Sequence, residues 1–264
     1  MPAPETVSGL TLTTAAAIAT LTIDRPAKKN ALTAEMWAGL AKIAAGIAAS
    51  GEARVLVIRG AGSDFSAGAD IGEFDTIRRD ARTARSYEAA NSSAFAAIRD
   101  MPIPTIAAIR GVCFGGGFGI AAACDIRIAA QGASFAVPAA RLGLAYPHDA
   151  MADIVHACGP QFARLLTFSG ASFGSAAALA AGFLAETVPD EELDARAGEL
   201  AARIAANAPL SIRASKAAIR AVLTGASEDA EEARRLGEAT FSSADYAEGR
   251  AAFREKRQPR FAGR

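Results

Sequence analysis

The sequence has few of the residues that build metal sites, disulfide frameworks or nucleic-acid surfaces. Its 264 residues include only 2 histidines and 3 cysteines, and Cys113, Cys124 and Cys158 form no CxxC pair. A histidine-based metal site and a disulfide framework are therefore disfavoured, and a reducing compartment such as the cytoplasm is expected. The formal net charge of +0 provides no overall field that would attract a nucleic acid or an anionic membrane.

Long apolar segments and a recognisable export signal are also missing. The longest uncharged run, residues 111–124, is shorter than the ~20 residues that a bilayer-spanning helix needs. Residues 1–5 lack the basic and apolar regions of a signal peptide, so we expect neither secretion nor a membrane partner. What the chain does have is a hydrophobic fraction of 51%, which predicts a globular protein with a large buried core.

Strand-like and helix-like segments alternate along most of the chain. Apolar runs predict strands at residues 10–23 (a strand or hairpin), 55–58, 105–110 and 125–129. Helices are predicted between them, the first capped by Thr33 and ended by Gly51, the second over residues 76–99 and the third opened by residues 115–117. This alternation predicts an α/β fold with parallel strand pairing.

Strand signals disappear in the last quarter of the sequence. Helical patterns cover residues 193–207, 212–223, 228–241 and 245–257, with breaks at Pro209 and Gly225. We therefore predict an α/β core over residues 1–192 and a helical region over residues 193–264.

Two glycine-bearing turns are the main candidates for chemistry. Residues 65–71 (FSAGADI) follow a predicted buried strand, and residues 111–119 (GVCFGGGFG) lie between a strand and a helix. Small residues let a ligand approach unpaired backbone N–H groups, and Gly116 would lie at a helix N-terminus, which favours negative charge. Two such N–H groups that converge on one oxygen form an oxyanion hole. Glycine turns alone favour the simpler interpretation that both segments are ordinary tight turns.

Other familiar motifs do not account for the sequence. It contains no GxxxxGKS/T phosphate loop and no HExxH, and residues 111–119 do not match GxGxxG. Residues 170–174 (GASFG) match the GxSxG nucleophile elbow, which requires a strand before the serine. Residues 162–168 are instead predicted to end a helix, so we interpret Ser172 as the N-cap of the next helix.

Taken together, the two turns and four further segments resemble the crotonase (enoyl-CoA hydratase/isomerase) superfamily. In family order the segments are residues 25–32 (RPAKKNAL), 65–71, 104–109 (PTIAAI), 115–117, 124–127 (CDIR) and 245–257 (DYAEGRAAFREKR). Their order and spacing extend over nearly the whole chain. The resemblance implies a crotonase-like spiral of ββα units, a helical C-terminal trimerisation region, and a homotrimer or dimer of trimers.

The same resemblance implies an acyl-CoA thioester as substrate, with no separate cofactor and no metal. The oxyanion-hole positions of the family fall on Ala69 and Gly116, which suits chemistry through a thioester enolate. The resemblance also implies that Ala67, Asp70 and Ile71 line the path of CoA. Its phosphates and adenine would contact Lys28 or Lys29, together with Phe253 and Lys256 of this or a neighbouring subunit. Each of these lysines could equally well be a solvated surface charge.

Two positions depart from the family pattern. Hydratases of the family use two glutamates to activate water, and the corresponding positions here hold Gly119 and Ala139. Dienoyl isomerases place acids at the same two positions. Neither glycine nor alanine can transfer a proton, so hydration by the two-glutamate mechanism is disfavoured.

Tyr146 is the residue that best fits a different reaction. Residues 142–146 (LGLAY) and 255–259 (EKRQP) are similar to decarboxylases of the family that act on methylmalonyl-CoA. Loss of CO₂ itself generates the enolate, so this reaction needs no general base, and a tyrosine hydroxyl could orient the leaving carboxylate. The histidine that such an enzyme can carry beside the first donor is absent, because Ala69 is there. Tyr146 could also be a pocket wall with its hydroxyl hydrogen-bonded.

His148 and Asp149 are the ionisable residues closest in sequence to the expected acyl pocket, and either could replace the missing acids. We favour a loop histidine and a helix-capping aspartate, and we interpret Asp153 and His156 as a local surface pair. Whether Glu73, Asp75 or Tyr87 reaches the pocket is left open by the sequence.

The leading hypothesis is a cytoplasmic enzyme that binds acyl-CoA thioesters and stabilises an enolate in an oxyanion hole. Decarboxylation, or another reaction that makes little use of a base, would generate that enolate. The alternatives are enoyl-CoA hydration or isomerisation with substitute residues, and a catalytically silent acyl-CoA-binding protein. RNA binding, known among distant relatives, has little support from a neutral chain.

Overall fold

A computed structural model describes residues 7–264 of the chain. The strands are β1 (Leu10–Ala15), β2 (Ile18–Ile23), β3 (Val55–Gly60), β4 (Thr105–Ile109), β5 (Val112–Phe114), β6 (Ile126–Ala130), β7 (Ser134–Ala136), β8 (Phe173–Gly174) and β9 (Glu186–Val188). The α-helices are α1 (Ala34–Ser50), α2 (Phe74–Ile77), α3 (Ala81–Arg99), α4 (Gly116–Ala123), α5 (His148–Ser169), α6 (Ser175–Ala180), α7 (Leu193–Ala205), α8 (Pro209–Thr224), α9 (Ser227–Phe241) and α10 (Ala244–Glu255).

The main sheet has six strands in the order β1-β2-β3-β4-β6-β9. β1 and β2 form an antiparallel hairpin, and every other neighbouring pair is parallel. Both faces of the central strands are covered: Leu56 and Ile58 join the large core, while Val55 and Val57 pack with α7 on the opposite face. The apolar run 55–58 therefore has the burial that parallel strands require, and the predicted α/β fold is confirmed.

A smaller sheet of three strands, β5-β7-β8, lies outside the main sheet. β5 is parallel to β7, and β8 is antiparallel to it. These short strands were not predicted, because three residues or fewer are too short to show a hydrophobic period.

Several predicted boundaries are confirmed. Residues 10–23 form a hairpin, the Thr33 hydroxyl accepts a hydrogen bond from the N–H of Met36, and Gly51 ends α1 in the left-handed conformation. The predicted helix over residues 76–99 is instead two helices. Asp80 has an extended backbone and caps α3 through a capping box with Thr83, which separates α3 from the single turn of α2.

The segment around Ser172 is predicted correctly in one respect and wrongly in another. The residues before it form α5, which runs to Ser169, so the strand that a nucleophile elbow requires is not there. Ser172 is not a helix N-cap, however, because β8 follows it and Gly174 occupies the N-cap of α6.

The C-terminal helices are fastened to the sheet by polar contacts. Asp125 accepts hydrogen bonds from the N–H and hydroxyl of Thr105 at 2.8 and 3.0 Å and from Nζ of Lys216 on α8 at 2.7 Å. Arg54 donates to the carbonyls of Ala205 and Phe261 at 3.0 and 2.7 Å. Within residues 7–264 no helix combines the length and apolar composition of a membrane span.

Replacing Asp125 tests whether this fastening stabilises the fold. Asp125→Ala leaves the N–H of the fully buried Thr105 without its partner, and we expect a loss of about 1–3 kcal/mol in the free energy of unfolding. Urea unfolding followed by circular dichroism measures it. Asp24→Ala removes an exposed carboxylate and should change stability by less than about 0.5 kcal/mol. Equal losses in the two variants would contradict the role assigned to Asp125.

Candidate active site

The first glycine turn is held between β5 and the segment before α1. The N–H of Ser66 donates to the carbonyl of Val112, and the N–H of Phe114 donates back to Ser66, each at 2.9 Å. On the other side Leu32 donates to Gly68 at 2.7 Å and accepts from Asp70 at 2.8 Å. The N–H of Gly68 donates to the hydroxyl of Ser66 at 3.0 Å, so the N–H groups on both sides of Ala69 are paired. The N–H of Ala69 itself has no acceptor within residues 7–264.

The second glycine turn ends in the N-terminus of α4, as predicted. The N–H of Gly115 donates to the carbonyl of Ala136 at 2.9 Å, and α4 begins at the next residue. The first N–H groups of a helix have no partner in the helix itself, and the helix dipole adds partial positive charge there. Across the described part of the chain the N–H of Gly116 has no acceptor either.

The two turns approach each other backbone to backbone. Gly68 has φ +91°, and a Cβ added to it would lie 2.8 Å from the nitrogen of Gly116 and 2.7 Å from the carbonyl oxygen of Phe114. Only glycine fits that position, because a side chain needs both the space and a different backbone conformation. The structure thus brings together the two predicted donor segments, and both donors are unpaired.

Asn30 stabilises the first glycine turn through hydrogen bonds. Its side chain is fully buried, donates to the carbonyls of Ala61 and Asp64 at 2.8 and 2.6 Å, and accepts from the N–H of Arg25 at 2.9 Å. Its backbone carbonyl accepts the hydroxyl of Ser66 at 2.8 Å. Residues 25–32, which we call the brace, therefore stabilise the first glycine turn.

The residues assigned to CoA lie in two places. Lys28 and Lys29 are exposed and close to the first turn in the same brace, and Ile71 is 62% exposed at its end. Phe253 is 86% exposed on α10, and Lys256 caps the C-terminus of that helix.

Asp70 has a structural partner. Its carboxylate lies 2.9 Å from Nη1 of Arg25 and accepts the N–H of Gly72. Burial alone would raise the pKa of Asp70, but its hydrogen bonds with Arg25 and Gly72 and the charges of Arg25 and Lys28 outweigh burial and lower it. Asp70 is therefore a carboxylate and not a proton donor at neutral pH.

Tyr146 lies against the second turn. Its hydroxyl donates to the carbonyl of Gly115 at 2.6 Å, directly before the candidate donor Gly116. Burial raises the pKa of this phenol, so it stays protonated. The bond anchors the N-terminus of α4.

Comparisons with known proteins decide the family. A sequence profile described as enoyl-CoA hydratase/isomerase matches residues 13–264. A probable enoyl-CoA hydratase of Mycobacterium tuberculosis is 33% identical over 246 residues, covering 92% of this chain and 94% of the relative. The crotonyl-CoA hydratase of Syntrophomonas wolfei is 31% identical over 249 residues, covering 92% and 94%. A crystal structure of an enoyl-CoA hydratase/carnitine racemase from Magnetospirillum magneticum has a TM-score of 0.92 at 37% identity and covers 98% of this chain and 97% of its own.

The chain belongs to the enoyl-CoA hydratase/isomerase family. The resemblance drawn from the sequence segments is thereby confirmed, and so is the crotonase-like α/β fold with its helical C-terminal region.

At Gly119, where the family resemblance implies a glutamate, the structure leaves no room for a side chain. Gly119 lies in α4, and a Cβ added to it would lie 2.6 Å from Cζ of Phe95. Phe95 is buried and packs edge-to-face on Trp37, with ring centroids 5.5 Å apart. The volume beside Gly119 is therefore filled by an aromatic side chain. Ala139 lies in a single 3-10 turn, Pro138–Leu142.

The two predicted substitute residues have different environments. His148 is the first residue of α5 and is exposed. Asp149 is inside the first turn of α5, where Pro147 and not Asp149 occupies the N-cap, and its carboxylate accepts the hydroxyl of Ser92 at 3.2 Å. The predictions of a loop histidine and of a capping aspartate are therefore both wrong.

Asp153 is not part of a surface pair with His156. It is 5% exposed and accepts a hydrogen bond from Nη1 of Arg99 at 2.8 Å. Burial raises the pKa of Asp153 to about 6, although the positive charge of Arg99 acts in the opposite direction. The error arose because helical spacing alone does not show which face of α5 is buried.

The sequence left Glu73, Asp75 and Tyr87 undecided, and the structure separates them. Glu73 accepts the N–H of Ala34 at 2.9 Å and so stabilises the start of α1, while Asp75 is exposed. Tyr87 is 4% exposed and accepts a hydrogen bond from Nε1 of Trp37 at 2.8 Å. Burial raises the pKa of Tyr87 to about 12. No sequence signal joined Trp37 to Tyr87, which are 50 positions apart.

Gly119→Ala tests the filled volume. Because the new methyl group would meet the Phe95 ring, we expect a loss of about 1–3 kcal/mol in the free energy of unfolding, and partial recovery when Phe95→Leu is added. Gly46→Ala is the matched control, because the added Cβ meets nothing within 4 Å on α1 and should stabilise by about 0.5–1 kcal/mol. Chemical denaturation of the unmodified protein, the two single variants and the double variant gives the comparison. A neutral Gly119→Ala would mean that the site has room for a side chain.

Proposed function

We propose that the protein binds an acyl-CoA thioester and stabilises the enolate formed from it between the N–H groups of Ala69 and Gly116. The observation that carries this proposal is that two backbone donors without a partner lie on two turns that approach each other at Gly68. Donors fixed by the fold need no rearrangement when charge develops on the thioester oxygen. Loss of one such donor typically lowers kcat by about 10²–10³-fold, so the pair can supply a large part of catalysis.

The same proposal places the remaining parts of CoA on the residues named from the family resemblance. Ala67, Asp70 and Ile71 line its path, and Lys28 faces its phosphates on the exposed side of the brace. Phe253 and Lys256 would reach CoA from a neighbouring copy of the chain. We propose no further cofactor and no metal.

A homotrimer or dimer of trimers is part of this proposal. Several large apolar side chains of the C-terminal helices are exposed in the single chain, among them Val222 at 84% and Phe253 at 86%. Phe253 also lines a groove of about 540 Å³ together with Tyr246 and Phe261. Exposed apolar surface of this kind favours association with another copy.

We favour decarboxylation or another base-free route to the enolate. Gly119 and Ala139 provide no proton-transfer group, whereas decarboxylation generates the enolate by breaking the bond to the carboxylate and releasing CO₂. Tyr146 is the candidate for orienting that carboxylate. Its hydroxyl proton is engaged by Gly115, so contact with a substrate would require it to exchange one acceptor for another.

Hydration or isomerisation through other residues is the second candidate. It is favoured by the relatives, since several at 31–34% identity are named enoyl-CoA hydratases. His148 and Asp149 would be the substitute acid and base.

Three substrates separate these possibilities. The purified protein is incubated with crotonyl-CoA, a 3-enoyl-CoA and methylmalonyl-CoA, and each product is identified by mass spectrometry. CO₂ release from methylmalonyl-CoA supports the favoured route. Turnover of crotonyl-CoA at ordinary hydratase rates contradicts the argument from Gly119 and Ala139. Binding of all three without turnover indicates a silent acyl-CoA-binding protein.

Tyr146→Phe gives the residue-level prediction. We expect it to lower decarboxylation by at least about tenfold, because it removes both the orienting hydroxyl and the anchor on Gly115. Tyr246→Phe removes an exposed hydroxyl on α10 and is the matched control, with unchanged turnover expected. Unchanged turnover in Tyr146→Phe would remove Tyr146 from the mechanism.

A further inference from the structure

In each of the two peptide units that carry a candidate oxyanion donor, the carbonyl accepts a hydrogen bond. The N–H of Ala69 shares its peptide unit with the carbonyl of Gly68, which accepts the N–H of Leu32 at 2.7 Å. The N–H of Gly116 shares its peptide unit with the carbonyl of Gly115, which accepts the hydroxyl of Tyr146 at 2.6 Å. The C=O and N–H of a trans peptide point in opposite directions within one plane, so a bond that holds the carbonyl also fixes the direction of the N–H.

The two carbonyls are held by different kinds of donor. Leu32 uses its backbone N–H, a group that every residue except proline would provide at that position. Tyr146 uses its side-chain hydroxyl, so the bond to Gly115 depends on the identity of residue 146. The carbonyl of Gly115 also accepts the N–H of Gly119 at 3.0 Å, as the start of a helix requires. The hydroxyl is therefore an additional donor, beyond what α4 itself supplies.

Tyr146 and Gly115 are both held in place by their surroundings. Tyr146 packs against the large core and precedes Pro147, the N-cap of α5, and a proline restricts the backbone of the residue before it. Gly115 has φ +50° and ψ −118°, a conformation that favours glycine, and its own N–H donates to the carbonyl of Ala136. The hydrogen bond between hydroxyl and carbonyl thus joins two fixed points of the chain.

A hydrogen bond to an amide carbonyl also makes the N–H of the same amide a stronger donor. Hydrogen bonds in a chain polarise one another, by about 10–30% per bond. The gain is largest when the final acceptor carries negative charge, as the oxygen of a thioester enolate does. Burial raises the pKa of Tyr146, so the hydroxyl keeps the proton that it donates.

We propose that Tyr146 is a positioning residue for the oxyanion hole: by donating to the carbonyl of Gly115, it directs and strengthens the N–H of Gly116 that binds the thioester oxygen. The inference rests on the proposed enolate stabilisation and deepens it, and it holds for whichever reaction forms the enolate. It concerns the hydroxyl in its observed place on Gly115, which it occupies before a substrate carboxylate binds and to which it can return once CO₂ has left. At that later stage the negative charge is on the thioester oxygen.

The stretching frequency of a bound thioester carbonyl tests the proposal directly. Propionyl-CoA is suitable because it has no carboxylate that could engage Tyr146. The ligand is labelled with carbon-13 at the thioester carbonyl, and infrared difference spectra against unlabelled ligand isolate that vibration. Because hydrogen bonds to a carbonyl lower its stretching frequency, we expect a lower frequency in the complex with the unmodified protein than in buffer.

Two replacements at position 146 should shift this frequency in opposite directions. Tyr146→Phe removes the hydroxyl and should reverse about 10–30% of the lowering, the contribution of one cooperative bond. 3-Fluorotyrosine at position 146 keeps the ring and the hydroxyl but makes the hydroxyl a stronger donor, so it should lower the frequency further. The affinity for propionyl-CoA, from isothermal titration calorimetry, should stay within about twofold, because most contacts with CoA lie away from this peptide unit.

The same two replacements at position 246 are the matched controls. The side chain of Tyr246 is 48% exposed on α10, so neither replacement should move the frequency. Equal shifts at positions 146 and 246 would contradict the proposal, and so would a frequency that neither replacement of Tyr146 changes. A shift with Tyr146→Phe but none with 3-fluorotyrosine would indicate a packing role and would also contradict it.

Failure of the proposed function gives different results. If the unmodified protein does not bind propionyl-CoA, the proposed acyl-CoA function is overturned. If it binds the ligand without lowering the carbonyl frequency, the oxyanion hole at Ala69 and Gly116 is overturned. A lowered frequency that is indifferent to residue 146 overturns only the role of Tyr146.

Discussion

The contact between the backbones of the two glycine turns is the constraint on which the rest of the site depends. A side chain on Gly68 would collide with the backbone of Phe114 and Gly116, and a side chain on Gly116 would collide with the indole of Trp37. The N–H of Gly68 donates to the hydroxyl of Ser66, and the N–H of Asp70 donates to the carbonyl of Leu32. The N–H of Gly115, just before Gly116, donates to the carbonyl of Ala136. The N–H groups of Ala69 and Gly116 therefore remain without an acceptor among residues 7–264, although their neighbours are paired. Their direction is set by the β-sheet and by α4, and not by flexible side chains.

The acidic residues around this pair of donors are already engaged. Asp70 is bonded to Arg25, Glu73 to the start of α1, and Asp149 to Ser92. A carboxylate that holds a structural hydrogen bond is a poor general base, since proton uptake would break the bond. This shortage of free acids is the physical reason to favour a reaction that generates its enolate without proton abstraction. The chain has acids in ordinary number, but their positions restrict what they can do.

The sequence predicted the parts of the fold that depend on local patterns. The run 55–58, the Thr33 cap and the opening of α4 at Gly116 were all found from composition and spacing. The short strands of the small sheet and the break before α3 were missed, because they are decided by long-range pairing and by one capping box. At the site, the donors Ala69 and Gly116 came from the family resemblance. The environments of Asp153 and Tyr87 did not, because burial by distant segments leaves no trace in a local pattern.

Gly119, Phe95, Trp37 and Tyr87 belong to one packed arrangement beside α4. Phe95 fills the volume beside Gly119, Trp37 packs on Phe95, and the indole N–H of Trp37 holds the hydroxyl of Tyr87. At position 119, where the family resemblance implies a glutamate, this chain has an apolar wall formed by Phe95 and Trp37. A glutamate at position 119 alone would be buried against Phe95 without a partner, which is costly for a charged group.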